Sequence, residues 1–416
     1  MGHLEENQKG KPAFLPETTI ARRLVILTHK IKLDATFRQR RYFALAAGCA
    51  RFVWNQGLAE WDRQYTYGEK PSGMKLKNEF NATKYERFPW MKSIHRDAHS
   101  QPFANLDKAF KSWFKGITKR PVFKKKGRSR DSFYVANDRL HLDGQYVVLP
   151  KIGRVRMTES LRFTGKIIGA VVSRTAGRWF IAIQVDVGEY RKTRSGNCLV
   201  GVDLGIKVAA TLSTGKQLQG PKPLKVQLKK LARANRELSR RQKGSMNRRK
   251  TKLRLSKIHA RISNIRKDWI HKLTNNLCRQ NQTVVIENLH VKGMVKNRKL
   301  SRSVSDMGFG EFARQMIYKS PIYSTRLVIV DRFFPSSKLC SRCGHVKKDL
   351  TLRDRTYECD SCGLSIDRDL NAALNLSAAG LAEHACVRLD NPNQRNLSGS
   401  ESVKAGTITC QLVGTI

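Results

Sequence analysis

Four cysteines in two pairs, Cys340-Ser-Arg-Cys343-Gly and Cys359-Asp-Ser-Cys362-Gly, constrain the local structure of this chain more tightly than any other feature. Two residues stand between the thiols of each pair, so one turn can present both to a single ion, and Gly344 and Gly363 supply the tight backbone such turns use. Fifteen residues separate the pairs. Four thiolates saturate a tetrahedral Zn²⁺ and leave no open position, so a structural zinc ribbon over 339–366 is expected, with Cys340, Cys343, Cys359 and Cys362 as ligands. Nine cysteines in all, four of them within 23 residues, do not fit a secreted disulfide framework. The other five are expected as ordinary buried residues.

The second constraint is charge. Against 33 Asp and Glu stand 80 Lys and Arg, a net +47 over 416 residues, while 40% of the residues are apolar. The apolar share is enough for folded domains, about two to four at this length, and argues against a disordered basic tail. A compact body of this charge repels itself unless a polyanion neutralises it, and phosphate backbones are the expected partner. No window approaches the roughly 18 to 20 apolar residues of a membrane span. Met1 to Pro12 is polar, unlike a signal peptide, and Glu6 stands where a myristoylation signal carries Ser or Thr. The expected location is cytoplasmic, at the nucleoid of a prokaryote, with no membrane partner.

Along the chain, residues 1–18 are expected as a flexible leader. Apolar alternation from Ile20 to Leu33 predicts a strand, and spacing then turns helical over 36–116, with Phe43, Ala46, Ala50, Val53, Trp54 and Trp61 on one side. A basic loop follows, in which Lys119, Arg120, Lys124, Lys125, Lys126 and Arg128 are expected to contact phosphates. Short strands return at Tyr146–Leu149, Ile167–Val172 and Trp179–Val185, with Gly144, Gly153 and Gly177 as turns. Segments 19–34 and 131–196 are therefore expected to form one barrel-like domain interrupted by a helical insertion, 35–130.

A new α/β unit is predicted from residue 197, with buried strands at Cys198–Gly205, Val208–Leu212 and Thr283–Glu287, a helix at Phe309–Lys319 and a strand at Arg326–Asp331. Between them, Pro221 to Lys272 holds 19 Lys and Arg against two acids. The stripes Leu224, Leu228, Leu231, Leu238 and Ile258, Ile262, Ile265, Trp269 flank a Gly244-Ser-Met-Asn247 break and predict two antiparallel helices with basic outer faces. Lys229, Lys230, Arg240, Arg241, Arg248 and Arg249 are their expected nucleic-acid contacts. A last helix is predicted from Asp367, and 381–416 is expected to be a disordered tail.

Acids are scarce here, which makes the buried ones informative. Asp203 stands inside Leu-Val-Gly-Val-Asp-Leu-Gly, and Glu287 ends Val-Val-Ile-Glu. An ionised carboxylate in a buried strand costs several kcal/mol unless a cation or hydrogen bonds offset it. Asp369, or its neighbour Asp367, opens the final helix. Three acids at strand ends and a helix start suit Mg²⁺, and two such ions about 3.5 to 4 Å apart can hydrolyse a phosphodiester. The sequence contains neither a Walker loop nor a Gly-x-Ser-x-Gly elbow that would point to another chemistry.

Together, Asp203-Leu-Gly, Ile286-Glu-Asn-Leu289, Asp331-Arg-Phe-Phe-Pro-Ser-Ser-Lys338, the ribbon and Asp369-Leu-Asn-Ala-Ala-Leu-Asn375 resemble the TnpB family, transposon-encoded proteins similar to type V CRISPR nucleases. The motifs cover about residues 197–376, and the basic-aromatic segment Trp113–Val135 is also similar. The resemblance implies a multidomain α/β protein: an RNase H-like (RuvC) nuclease core over 197–338 and 367–380, with an inserted basic helical hairpin and the zinc ribbon. It implies that the barrel is a wedge domain and the helical insertion a recognition domain. It further implies Asp203, Glu287 and Asp369 as ligands of two Mg²⁺ or Mn²⁺ ions, a guide RNA and target double-stranded DNA as partners, and RNA-guided cleavage by a monomer with one RNA. Asp369 is placed above Asp367 because it directly precedes the Leu-Asn-Ala-Ala run. The alternatives are a catalytically silent RNA-guided repressor, which would usually lack one of the three acids, and a strand-transfer transposase.

Overall fold

The computed structural model describes residues 25–351 and 353–389. These divide into two compact units, 25–190 with Met246–Lys257, and Arg191–Ser245 with 258–389.

In the first unit, β1 (Ile26–Asp34) leads into three helices, α1 (Phe37–Thr66), α2 (Gly73–Arg87) and α3 (Arg96–Phe114). Thr36 starts α1 with a reciprocal cap: its hydroxyl accepts the Gln39 N–H at 3.3 Å, and Gln39 Oε1 accepts the Thr36 N–H at 2.9 Å. The apolar faces of α1 and α3 meet through Trp61 and Phe110, stacked with ring centroids 4.2 Å apart. Six strands follow: β2 (Ser132–Ala136), β3 (His141–Asp143), β4 (Tyr146–Leu149), β5 (Gly153–Met157), β6 (Lys166–Thr175) and β7 (Arg178–Asp186). With β1 they form one seven-stranded antiparallel ladder in the order β2-β6-β7-β1-β5-β4-β3. Residues 26–32 of β1 pair with β7, whereas Leu33 and Asp34 pair with β5, so β1 joins the two halves of the ladder. Strict alternation along β7 buries Trp179, Ile181, Ile183 and Val185 on one face, where they join Phe43 and Phe133 in a continuous core. The predicted strand begins at Ile20; residues 20–24 and the leader lie outside the described residues.

The second unit is built on β8 (Cys198–Asp203), β9 (Ala210–Leu212), β10 (Gln217–Leu218), β11 (Asn281–Glu287) and β12 (Arg326–Val330), in the order β10-β9-β8-β11-β12. β8, β11 and β12 run parallel, while β9 pairs antiparallel with both β8 and β10. Between them come α4 (Pro223–Arg240), α5 (Met246–Gln280), the short α6 (Val291–Lys296) and α7 (Ser301–Met307), and α8 (Phe309–Tyr323). The first turns of α5 belong to the other unit. After the two-stranded β13 (Thr356–Glu358) and β14 (Ser365–Asp367), α9 (Arg368–Leu389) lies across β8. A Cβ on Gly201 would stand 2.1 Å from the Ala373 carbonyl, so only glycine lets helix and strand backbones approach this closely. The expected disordered tail from 381 is corrected at its start: α9 continues to Leu389, and 390–416 lie outside the described residues.

Candidate active site and metal centre

Asp203 is the last residue of β8 and Glu287 the last of β11. The parallel register pairs Val202 with Ile286, so the two acids stand at the same level of adjacent strands, one residue beyond that pair. Asp369 sits in the first turn of α9, which the Gly201 approach holds against β8. A Cβ on Gly205 would stand 3.9 Å from Asp369 Oδ2, which places Asp369 beside the turn that follows Asp203.

Electrostatics link the three. Burial pushes the Asp203 carboxyl up to about 7, and the negative charges of Asp369 and Glu287 push in the same direction, against the cation of Arg368. Burial also raises Glu287. Arg368 Nη2 donates to Asp369 Oδ1 at 3.2 Å. Like-charged carboxylates gathered where water is scarce are oxygen donors suited to a hard divalent cation, whose charge lets them ionise together. Asp367 is engaged differently: its Oδ1 accepts the N–H groups of Asp369 and Leu370, each at 3.0 Å, as the cap of α9.

The cysteine pairs do converge. The Sγ atoms of Cys340, Cys343, Cys359 and Cys362 all lie within 4.8 Å of one another, the one such group of three or more ligands among the described residues. The Cys340–Cys362 and Cys343–Cys359 separations are both 3.6 Å. Four sulfurs about 2.3 Å from one tetrahedral ion would stand about 3.8 Å apart, so the cluster fits a single ion. Backbone N–H groups of Cys362 and Ser361 help lower the Cys359 thiol below its ordinary value.

Asn371 and Asn375, to which the sequence assigned no role, tie the ribbon to the helix that carries Asp369. Asn371 Nδ2 donates to the Leu339 carbonyl at 2.7 Å while its Oδ1 accepts the Ser341 N–H at 3.0 Å. Asn375 Nδ2 donates to the carbonyls of Ser336 and Leu339 at 2.7 and 2.6 Å. Both amides are buried in the helix that carries Asp369. Two Asn at i and i+4 on an otherwise apolar face were the signal that could have found them.

The basic residues divide into free and engaged. In the loop after α3, Lys119, Lys125, Lys126 and Arg128 are exposed. Arg120 Nη2 instead donates to Asp62 Oδ1 at 2.7 Å, and the Lys124 ammonium lies 3.4 Å from the Trp54 ring centroid, with burial pulling its pKa down to about 8. On α4, Lys229, Lys230 and Arg240 are exposed; Arg241 just beyond it is within 3.6 Å of Glu237. Arg249 is exposed on α5 and Arg248 half-buried.

A family model described as "Probable transposase" matches residues 182–298, and one described as "Cas12f1-like, TNB domain" matches 309–376. A "Helix-turn-helix domain" model matches 25–70, where the chain forms β1 and the single 30-residue α1. A Streptomyces pristinaespiralis protein named "Putative RNA-guided DNA endonuclease" is 35% identical over 385 residues, 90% of this chain and 94% of that one. The chain belongs to the TnpB family. InsQ of Escherichia coli K12, which carries the same designation, is 32% identical over 82% of this chain and 89% of its own. The chain of a cryo-EM Cas12f1–sgRNA–target DNA complex shares the fold of this TnpB protein, with a TM-score of 0.53 at 16% identity over 83% and 84% of the two chains. No helix among the described residues is long and apolar enough to cross a membrane.

Proposed function

We propose that this protein is an RNA-guided DNA endonuclease whose RuvC-like site is formed by Asp203, Glu287 and Asp369. The observation that carries the reading is geometric: Asp203 and Glu287 end the adjacent parallel strands β8 and β11, and Asp369 opens the helix packed across β8; the charges of both other acids add to burial in raising the Asp203 carboxyl. The strand order β10-β9-β8-β11-β12 supports an RNase H-like core. Relatives named as RNA-guided DNA endonucleases support the substrate and the guide.

In this reading base pairing between guide RNA and DNA supplies the sequence, and the +47 chain holds the nucleic acids by their phosphates. Asp203, Glu287 and Asp369 hold two Mg²⁺ or Mn²⁺ ions, which when bound activate water and stabilise the leaving oxygen of the phosphodiester. Arg368 steadies Asp369 through its 3.2 Å ion pair. The four cysteines hold a structural Zn²⁺, and Asn371 and Asn375 carry its rigidity to the helix bearing Asp369. The seven-stranded ladder is the wedge, 35–130 the recognition insertion, and α4 with α5 the basic hairpin. One protein with one RNA acts at the nucleoid.

The test is to express the protein with its native flanking DNA, sequence the RNA that copurifies, and assay cleavage of a matching target in Mg²⁺. One discrete RNA ending in a variable guide is expected, with cleavage lost in Asp203→Ala while RNA stays bound. Full cleavage by Asp203→Ala would overturn the reading.

A further inference from the structure

We propose that Phe333 is a base-stacking platform that positions single-stranded DNA against the three carboxylates. The inference rests on the nuclease reading, because the carboxylates give the strand its destination. Val330, the end of β12, pairs in register with Glu287, so the chain leaves the sheet at the rim where β8 and β11 end in Asp203 and Glu287. The turn beyond it is firmly built. Asp331 Oδ1 accepts the Phe333 N–H at 2.8 Å, and the Asp331 carbonyl accepts the Phe334 N–H at 3.1 Å. The Ser336 N–H donates to the Phe334 carbonyl at 2.8 Å, and Asn375 holds the Ser336 carbonyl.

On this fixed backbone two consecutive phenylalanines meet opposite environments. Phe334 packs against the core of Val285, Val328 and Leu376, whereas Phe333 is 85% exposed. Its neighbour supplies the second half of a nucleotide site: the Arg332 guanidinium lies 5.8 Å from the Phe333 ring centroid. An aromatic face beside a guanidinium accepts any base by stacking and its phosphate by charge, without reading sequence. Such tolerance is what a nuclease guided by base pairing needs at its cutting site. A docked peptide fits less well, because one ring flanked by the exposed Asp331 and Arg332 is far smaller than a contiguous apolar patch.

The test uses the full protein with its RNA, and target DNAs carrying an abasic nucleotide at successive positions around the cut. Phe333→Ala is expected to slow single-turnover cleavage about tenfold or more, with RNA content and melting temperature unchanged, and Phe333→Trp to restore most of the rate. One abasic position should slow the native protein and add nothing in Phe333→Ala. Native-rate cleavage by Phe333→Ala, or the same abasic profile in both proteins, would overturn the assignment. If the native protein cuts nothing, the nuclease reading fails by itself, and a 2-aminopurine oligonucleotide decides the stacking. Quenching that disappears in Phe333→Ala supports the platform; equal quenching refutes it.

Discussion

Burial first and then like charge raise the Asp203 carboxyl, and the consequence is a measurable pH dependence. Its folded pKa of about 7 lies above the ordinary 3.8, so the folded protein binds the extra proton between those values and stability falls as pH rises through that window. Asp203→Asn removes the group. In the absence of divalent ions the variant should melt higher than the native protein at pH 8, by up to about 4 kcal/mol, with the gap closing toward pH 4. Added Mg²⁺ should raise the melting temperature of the native protein and not of the variant. His99, far from the acids in sequence, has the opposite sign. Burial and then the Lys84 charge lower it from 6.5 to about 4, so the stability present above 6.5 is lost as pH falls toward 4. His99→Leu should flatten that limb of a melting curve taken from pH 7 to 4, where the native protein loses up to about 3 kcal/mol. The placement of Asp203 and Glu287 at strand ends was legible because a charge in an apolar strand stands out. The different engagement of Asp367 and Asp369 was not, since it depends on which one the first turn of α9 uses as its cap. Nor was His99, whose burial comes from packing between distant helices.

At the scale of elements, the contact between α9 and β8 carries the site. Gly201→Ala would place a methyl carbon 2.1 Å from the Ala373 carbonyl and 2.6 Å from the Ser377 nitrogen, both backbone atoms that cannot swing aside. The helix must lift, taking Asp369 with it. Gly201→Ala should therefore lose cleavage and several kcal/mol of stability together, whereas Asp369→Asn should lose cleavage alone; thermal melts beside a cleavage assay separate them. The ribbon makes a parallel case. Cys340→Ser should lower bound zinc by elemental analysis and destabilise 339–366, because three thiolates no longer close a tetrahedral shell. The longer elements followed from periodicity, as in β7, where every second residue is buried. The short α6 and α7 did not, being two turns or fewer with no repeat to read. Asp306 at the end of α7 was equally hidden: buried, it accepts the N–H groups of Leu224 and Lys225 at 2.9 and 3.1 Å and so fixes the start of α4 from 82 and 81 residues away.

For the whole molecule, the net charge of +47 makes affinity for nucleic acid a function of salt, and the structure separates exposed charges from those engaged within the protein. Lys229, Lys230, Arg233 and Arg236 lie exposed on α4, where Glu237 is the only acid. Charges in contact with phosphates release counterions on binding, each adding about 0.7 to 0.9 to the slope of log affinity against log salt. Replacing all four by Gln should lower that slope by about 3, with little effect on melting, since their ends are in solvent. Lys124 and Arg120 belong to an equally basic stretch of sequence yet already have partners within the protein, the half-buried Lys124 on the Trp54 ring and the exposed Arg120 on Asp62. Lys124→Gln and Arg120→Gln should leave the slope within about 1 of native while lowering stability. A filter-binding titration from 50 to 400 mM salt on the two sets of variants would distinguish them. Equal slope changes would mean that the loop after α3 opens to bind nucleic acid, exchanging its internal partners for phosphates. Composition alone gives every cation the same weight; burial and pairing sort those engaged within the protein from those left open to a partner.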